Sequence, residues 1–199
     1  ELSMATSLVG TGAIMYFRAA GHTHYTIGRH FNRLYEITND RECLRKALSA
    51  FADAVERFQK IDLRSRVAEC QWKAAATYDV LGEHLKAAES FKDASANYIK
   101  ATEKIPRLKD LYQDYASYMQ AWSDIERARH NHERADYDRS KECYEQAASA
   151  LKSSKSWSYL AQNSLAWSQV EHAEDLSRRQ QSEEALQTFE QAATLFTET

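Results

Sequence analysis

The chain has 199 residues, five glycines, one proline and a formal net charge of −3. Glycine and proline are too scarce for a β-sheet protein or a parallel α/β protein, which need them at many turns, so the composition predicts a nearly all-helical chain. The weakly acidic balance gives no overall electrostatic attraction for nucleic acid or for an anionic membrane surface.

Residues 1–38 form the least regular part of the sequence. They hold four of the five glycines, and their most apolar stretch, Met4–Phe17, is too short to span a membrane. Glycine costs about 1 kcal/mol in a helix interior, so Gly21 or Gly28 either interrupts a helix or lets two helices approach closely. We predict a less regular N-terminal hairpin here. Because the chain begins at Glu1 and ends directly after a periodic apolar run, we expect a fragment of a longer protein.

From residue 39 to residue 199 the apolar side chains recur at three- and four-residue steps, which predicts successive amphipathic helices. The clearest stripes run over Leu44–Phe58, Leu85–Tyr98, Leu108–Ile125 and Trp157–Val170, and further ones surround Tyr144 and Phe189. Asn39 and Glu42 have the spacing of a capping box, and Pro106 stands where the first turn of a helix would begin. The pattern predicts eight or nine helices in a single domain, because no connecting segment is long enough to separate two domains.

A motif of the form Ala-x-x-x-Phe/Tyr-x-x-Ala recurs along this region. It is centred on Phe51, Phe91 and Phe189, and a variant with serine in first place is centred on Tyr144. Small residues four before and three after an aromatic residue share its helix face, so they let a neighbouring helix approach while the ring fills the gap. The aromatic residues are 40, 53 and 45 residues apart, and each interval fits a pair of helices. We therefore predict stacked helical hairpins, each of which buries an apolar face against the next.

The second unit carries a closer resemblance to a known family. Tyr78, Gly82, Ala87, Phe91 and Ala94 are separated by 4, 5, 4 and 3 residues, which is the spacing of the latter part of the tetratricopeptide consensus. The chain therefore resembles a tetratricopeptide-repeat (TPR) protein. The repeat interval is longer than in that family and the consensus proline is missing, so the chain is similar to the long-helix soluble NSF attachment protein (SNAP) group. The resemblance implies a right-handed superhelical array of antiparallel helix hairpins, an α-solenoid.

The residues that could carry chemistry do not form a recognisable site in the sequence. His130 and His132 are two positions apart and point in different directions on a helix, so we interpret the seven histidines as solvated or capping residues rather than metal ligands. The sequence has no phosphate-binding glycine loop and no nucleophile elbow. Cys43, Cys70 and Cys143 are odd in number and widely spaced, which is typical of free thiols in a reducing compartment and predicts a cytoplasmic location. We predict no catalytic residue, no metal and no cofactor.

The resemblance also implies where a partner would bind. In tetratricopeptide-like arrays the first helix of each hairpin lines a concave groove. Placing that register on this chain predicts a partner-binding groove formed by Glu69, Trp72, Asp79, Trp122, Arg129, His132, Glu133, Trp167, Glu174 and Arg178. The alternative is that the three tryptophans only fill the seams between helices.

Three functions follow in order of preference. The first is a non-catalytic protein–protein interaction scaffold that binds a partner helix or peptide segment in the groove, with no part for nucleic acid or a membrane span. The second is a sensor or oligomerisation arm of a larger signalling or ATPase protein. The third is an enzyme or ligand carrier, which would require a pocket with converging titratable groups. The sequence leaves the oligomeric state open.

Overall fold

The computed structural model describes the backbone of residues 2–197 and the side chains of residues 10–197. In this part of the chain every regular element is helical, which confirms the prediction of an all-α protein. The eight α-helices also agree with the predicted number. They are α1 (Leu2–Thr38), α2 (Arg41–Lys60), α3 (Arg64–Leu81), α4 (His84–Lys104), α5 (Lys109–Glu133), α6 (Tyr137–Lys152), α7 (Ala161–Arg178) and α8 (Ser182–Thr197). Short 3₁₀ helices at Pro106–Leu108 and Ser158–Leu160 lead into α5 and α7.

The predicted hairpin over residues 1–38 is corrected, because α1 runs as one helix from Leu2 to Thr38. Gly21 and Gly28 do not interrupt it. A Cβ atom at Gly21 would lie 2.7 Å from the Phe58 ring, and one at Gly28 would lie 2.6 Å from the Phe51 ring. The two glycines thus serve the alternative purpose, which is close approach of α1 to the buried rings of α2.

The turns follow local rules, with one shift from the expected position. The cap of α2 is Asp40 rather than Asn39, and the Asp40 carboxylate accepts a hydrogen bond from the backbone N–H of Glu42 at 2.9 Å. Asn39 instead takes a left-handed backbone conformation with φ of 54°. Gly82 ends α3 with φ of 75°, a conformation that glycine adopts without a steric penalty. Pro106 opens the 3₁₀ turn before α5, close to its predicted place.

Each helix packs chiefly against the helices that precede and follow it in the chain, and α3 also touches α5. The residues of the recurring motif lie inside these contacts. The alanines flanking Phe51, Phe91 and Tyr144 are buried together with those rings, and the motif serine, Ser140, is fully buried and donates to the Ala128 carbonyl. The core is therefore a succession of small clusters between neighbouring helices. Among the helices described, none is both long and apolar enough to cross a membrane.

Candidate functional site

A cavity of about 450 Å³ opens between α5 and α7. Helix α6 contributes Tyr144 and Leu151 to its lining, and His84 at the start of α4 also lines it. Five of the ten predicted groove residues line it: Trp122, Arg129, His132 and Glu133 from α5, and Trp167 from α7. The volume lies within the roughly 300–1,000 Å³ that is typical of ligand pockets in proteins.

Aromatic rings form much of the cavity wall. Tyr144 and Trp167 stack with their ring centroids 6.2 Å apart and an interplanar angle of 21°. Trp122 stacks in the same way on Phe91, with centroids 6.0 Å apart. Burial raises the pKa of Tyr144 to about 12, so its phenol stays neutral. Trp167 remains 43% exposed, so part of this wall faces solvent.

A buried carboxylate, Glu126, lies behind the wall and holds an ion-pair cluster together. Its side chain is fully buried and accepts hydrogen bonds from His84 Nδ1 at 2.8 Å and from Arg129 Nη1 at 2.9 Å. The same Arg129 nitrogen lies 2.8 Å from Asp79 Oδ1. His84 Nε2 faces Glu133 at 3.3 Å. Burial raises the pKa of Glu126, and the hydrogen bond from His84 opposes that effect.

The ligand atoms of Asp79, His84 and Glu126 lie within 4.8 Å of one another, the spacing that a metal ion would need. Arg129 already stands at hydrogen-bond distance from both carboxylates of that group. A guanidinium therefore supplies the positive charge there, and it would repel a metal ion brought to the same place. We interpret the group as an internal ion-pair network that fixes α3, α4 and α5.

A second histidine–glutamate pair joins α5 to α7. His132 Nδ1 lies 3.0 Å from Glu171 Oε2, and the Glu171 side chain is only 2% exposed. Burial raises the pKa of Glu171, and the hydrogen bond from His132 opposes that effect. The interpretation of all histidines as solvated or capping residues is therefore wrong for His84, which is only 14% exposed and pairs with a buried carboxylate. His132 is 50% exposed, in agreement with that interpretation, although it also pairs with a buried carboxylate.

A second repeated string in the sequence contains both of these glutamates, and the Ala-x-x-x-Phe/Tyr-x-x-Ala motif does not include it. The string Ala-Trp-Ser-x-Ile/Val-Glu-x-Ala occurs at residues 121–128 and again at residues 166–173. Each glutamate follows its tryptophan by four positions and so lies beside it on the helix. Glu171 lines the cavity, whereas Glu126 is buried behind the wall. The serines and alanines of both strings are buried. The two walls of the cavity are thus equivalent parts of a repeat.

A second cavity, of about 540 Å³, lies over α1, α3 and α5. It is lined by two predicted groove residues, Glu69 and Trp72, and by three basic side chains, Arg29, Arg66 and Lys73. Glu69 accepts hydrogen bonds from the Tyr25 hydroxyl at 2.5 Å and from Arg66. Burial raises the pKa of Tyr25 well above its usual value.

Trp72 belongs both to this cavity and to a seam between helices. Its ring packs on Tyr115 and Tyr118 of α5, with centroids 6.0 Å and 6.1 Å away. The groove and seam interpretations of the tryptophans are therefore compatible. The last two predicted residues, Glu174 and Arg178, lie outside the lining of both cavities, and Arg178 is exposed and donates to the Ala135 carbonyl at 2.7 Å.

No known protein family matches the chain, and comparisons with characterised proteins and with solved structures gave no significant match. The site is therefore interpreted from its own geometry.

Proposed function

We propose that this chain is a non-catalytic protein-interaction scaffold that binds a partner helix or peptide segment. In this proposal the helices stack as TPR-like or SNAP-like hairpins into a right-handed α-solenoid. Packing mainly between consecutive helices supports that arrangement, because a solenoid buries each unit only against its neighbours. The buried free thiols Cys43 and Cys70 support a reducing, cytoplasmic setting.

Both cavities support a binding face made by the odd-numbered helices. The first is lined mainly by α5 and α7, and the second by α1, α3 and α5. Tyr115 in one cavity and Trp122 in the other are seven residues apart on α5, which corresponds to about 10 Å along a helix. A single extended or helical segment lying along α5 is therefore long enough to reach both.

The observation that carries the proposal is the open aromatic cavity between α5 and α7. Tryptophan, tyrosine and arginine contribute the largest share of binding energy at protein interfaces, especially in water-excluding pockets. Trp122, Arg129, Tyr144 and Trp167 combine these residue types in one concavity. We propose that it receives the anchor side chain of the partner.

Peptide selection against the immobilised chain tests this proposal. Selected 12-residue peptides are measured against the wild type and against Trp167→Ala, which removes a cavity wall. We expect about 30-fold weaker binding for Trp167→Ala, the loss typical of an interface hot spot. Leu186→Ala is the control, since Leu186 is 60% exposed on α8 and lies outside both cavities. Peptides that bind both variants as tightly as the wild type would place their site elsewhere.

A ligand carrier is a second candidate, because the same cavity has a suitable volume and converging titratable groups. Small molecules that stabilise the wild type but not Trp167→Ala in a thermal-shift assay would favour it. An oligomerisation arm is a third candidate, favoured by the exposed apolar side chains of Ile14, Met15 and Tyr16 on α1. Self-association that Met15→Ser abolishes, measured by analytical ultracentrifugation, would support that role.

A further inference from the structure

The α5–α7 cavity carries more negative than positive charge. Arg129 is its one arginine, and this side chain is already held by Asp79 and Glu126. The two carboxylates of the lining, Glu133 and Glu171, face only histidines in the contacts described above. An incoming anion would meet two carboxylates that are paired with no arginine or lysine in these contacts, whereas an incoming cation would pair with them.

The aromatic wall favours the same sign of ligand. The face of an indole ring attracts a cation through its quadrupole. Arg129 already uses this interaction, with its guanidinium carbon 5.9 Å from the centroid of the Trp122 ring. Apolar side chains complete the lining, among them Ile125, Leu151 and Leu160. Such a lining suits a charged group carried on an aliphatic stem.

The cavity over α1 and α3 has the opposite balance. Arg29, Arg66 and Lys73 line it together with a single carboxylate, Glu69. The contrast between the two cavities means that the face made by the odd-numbered helices is polarised along its length. A partner of uniform charge would be repelled at one end, so charge selects both the anchor and the direction of the segment.

We propose that the α5–α7 cavity receives a lysine or arginine side chain from the partner segment, with its stem against the aromatic and aliphatic wall and its charged end near Glu133 and Glu171. This inference rests on the proposed scaffold function. A peptide is favoured over a free amine because α5 lines both cavities, and Tyr115 and Trp122 lie about 10 Å apart along it, within reach of one segment.

Positional preference in selected peptides is the direct test. A library of 12-residue peptides is selected on the wild type, and enriched peptides are resynthesised with the anchor changed from lysine or arginine to norleucine or glutamate. We expect a basic residue to be enriched at one position, and we expect the glutamate version to bind most weakly. Raising the salt concentration should weaken the basic version and leave the norleucine version almost unchanged.

A matched pair of variants tests whether the preference for basic peptides depends on the carboxylates of the α5–α7 cavity. Glu133→Gln removes one negative charge from the exposed rim of the cavity and should weaken basic peptides about two- to fivefold, as expected for a partly exposed ion pair. Glu190→Gln removes the same charge from an exposed position on α8 and should have no effect. Circular dichroism melting of each variant checks that the fold is retained.

The outcomes separate the two proposals. Peptides that depend on Trp167 but show no basic preference, or whose basic preference survives Glu133→Gln, would overturn the cation anchor and leave the scaffold function intact. An absence of any peptide that depends on Trp167 would overturn both. If butylguanidinium binds in the cavity and no peptide competes with it, the cavity binds a small organic cation. That result would overturn the proposal that the cation belongs to a peptide.

Discussion

Substitution of Gly28 by alanine tests the packing of α1 against α2, because two opposing effects on the stability of the protein are expected. Alanine is favoured over glycine in a helix interior by about 1 kcal/mol. Against this, the added Cβ would lie 2.6 Å, 2.7 Å and 2.9 Å from three atoms of the Phe51 ring. Ordinary van der Waals contacts with a Cβ atom begin at about 3.4 Å.

The ring has little room to move away. Phe51 is fully buried in the cluster that also contains Tyr25 and Phe58. Overpacking a dense core costs about 1–3 kcal/mol, and three atoms under 3 Å indicate the upper end of that range. After the gain in helix propensity, Gly28→Ala should be less stable than the wild type by about 2 kcal/mol. For a chain of this size that is a decrease in Tm of about 4–8 °C.

Urea and thermal unfolding followed by circular dichroism at 222 nm measure the change. Gly12→Ala is the matched control, because apart from the nearby backbone of α1 none of the described atoms lies within 4 Å of a Cβ at Gly12. It should leave the stability unchanged or raise it slightly. Phe51→Leu removes the clashing ring atoms, so in the Gly28→Ala background it should cost less than it does in the wild type.

Two results would refute this reasoning. One is a Gly28→Ala protein that is at least as stable as the wild type, which would mean that the helices separate at no cost. The other is a Phe51→Leu effect of the same size in both backgrounds, which would show that the ring and the added methyl group do not interact.

Two further predictions concern buried charges. Asp114 accepts hydrogen bonds from Ser154 Oγ at 2.6 Å and from the backbone N–H groups of Lys155 and Ser156 at 2.6 Å and 3.1 Å. Burial opposes ionisation of the Asp114 carboxyl, but these hydrogen bonds hold its pKa below the usual range. Asp114→Ala should therefore lower the free energy of unfolding by about 3 kcal/mol at neutral pH, and the difference from wild type in urea titrations should shrink as the pH falls through the lowered native pKa. Arg129→Met leaves the carboxylates of Asp79 and Glu126 without their arginine and should lower the free energy of unfolding by about 2 kcal/mol. The loss is smaller than for a fully buried pair because the guanidinium is 39% exposed. Equal stability of variant and wild type in the same titrations would contradict the ion-pair interpretation.

The position of α1 illustrates where local rules were insufficient. Glycine's helix penalty left two outcomes open at Gly21 and Gly28, a break in the helix or a close approach of two helices. The structure has one continuous helix over both glycines, packed against Phe51 and Phe58. Tertiary burial outweighs a propensity difference of about 1 kcal/mol. The cap of α2 also differs from the sequence prediction by one residue, since Asp40 caps the helix and Asn39 takes a left-handed conformation.

In the candidate site, too, some residues were predicted from the sequence and some contacts were not. The register implied by the tetratricopeptide resemblance predicted Trp122 and Trp167 as groove residues, and both line the cavity. The pairing of Glu126 with His84, which lies 42 residues away at the start of α4, could not be read in this way. The repeated string at residues 121–128 and 166–173 marks Glu126 and Glu171 as equivalent positions, but it does not indicate their histidine partners.

The sequence by itself determined that this protein is helical, roughly where each helix lies, and which faces carry the small and aromatic residues that are buried. Those features depend on backbone hydrogen bonds and side-chain periodicity within about 20 residues, so they are local. Only the tertiary structure decided the continuity of α1, the cavity between α5 and α7, and the pairing of Arg129 with Asp79 and Glu126. These depend on the distance and rotation between helices, which are set by how side chains from separate segments pack together.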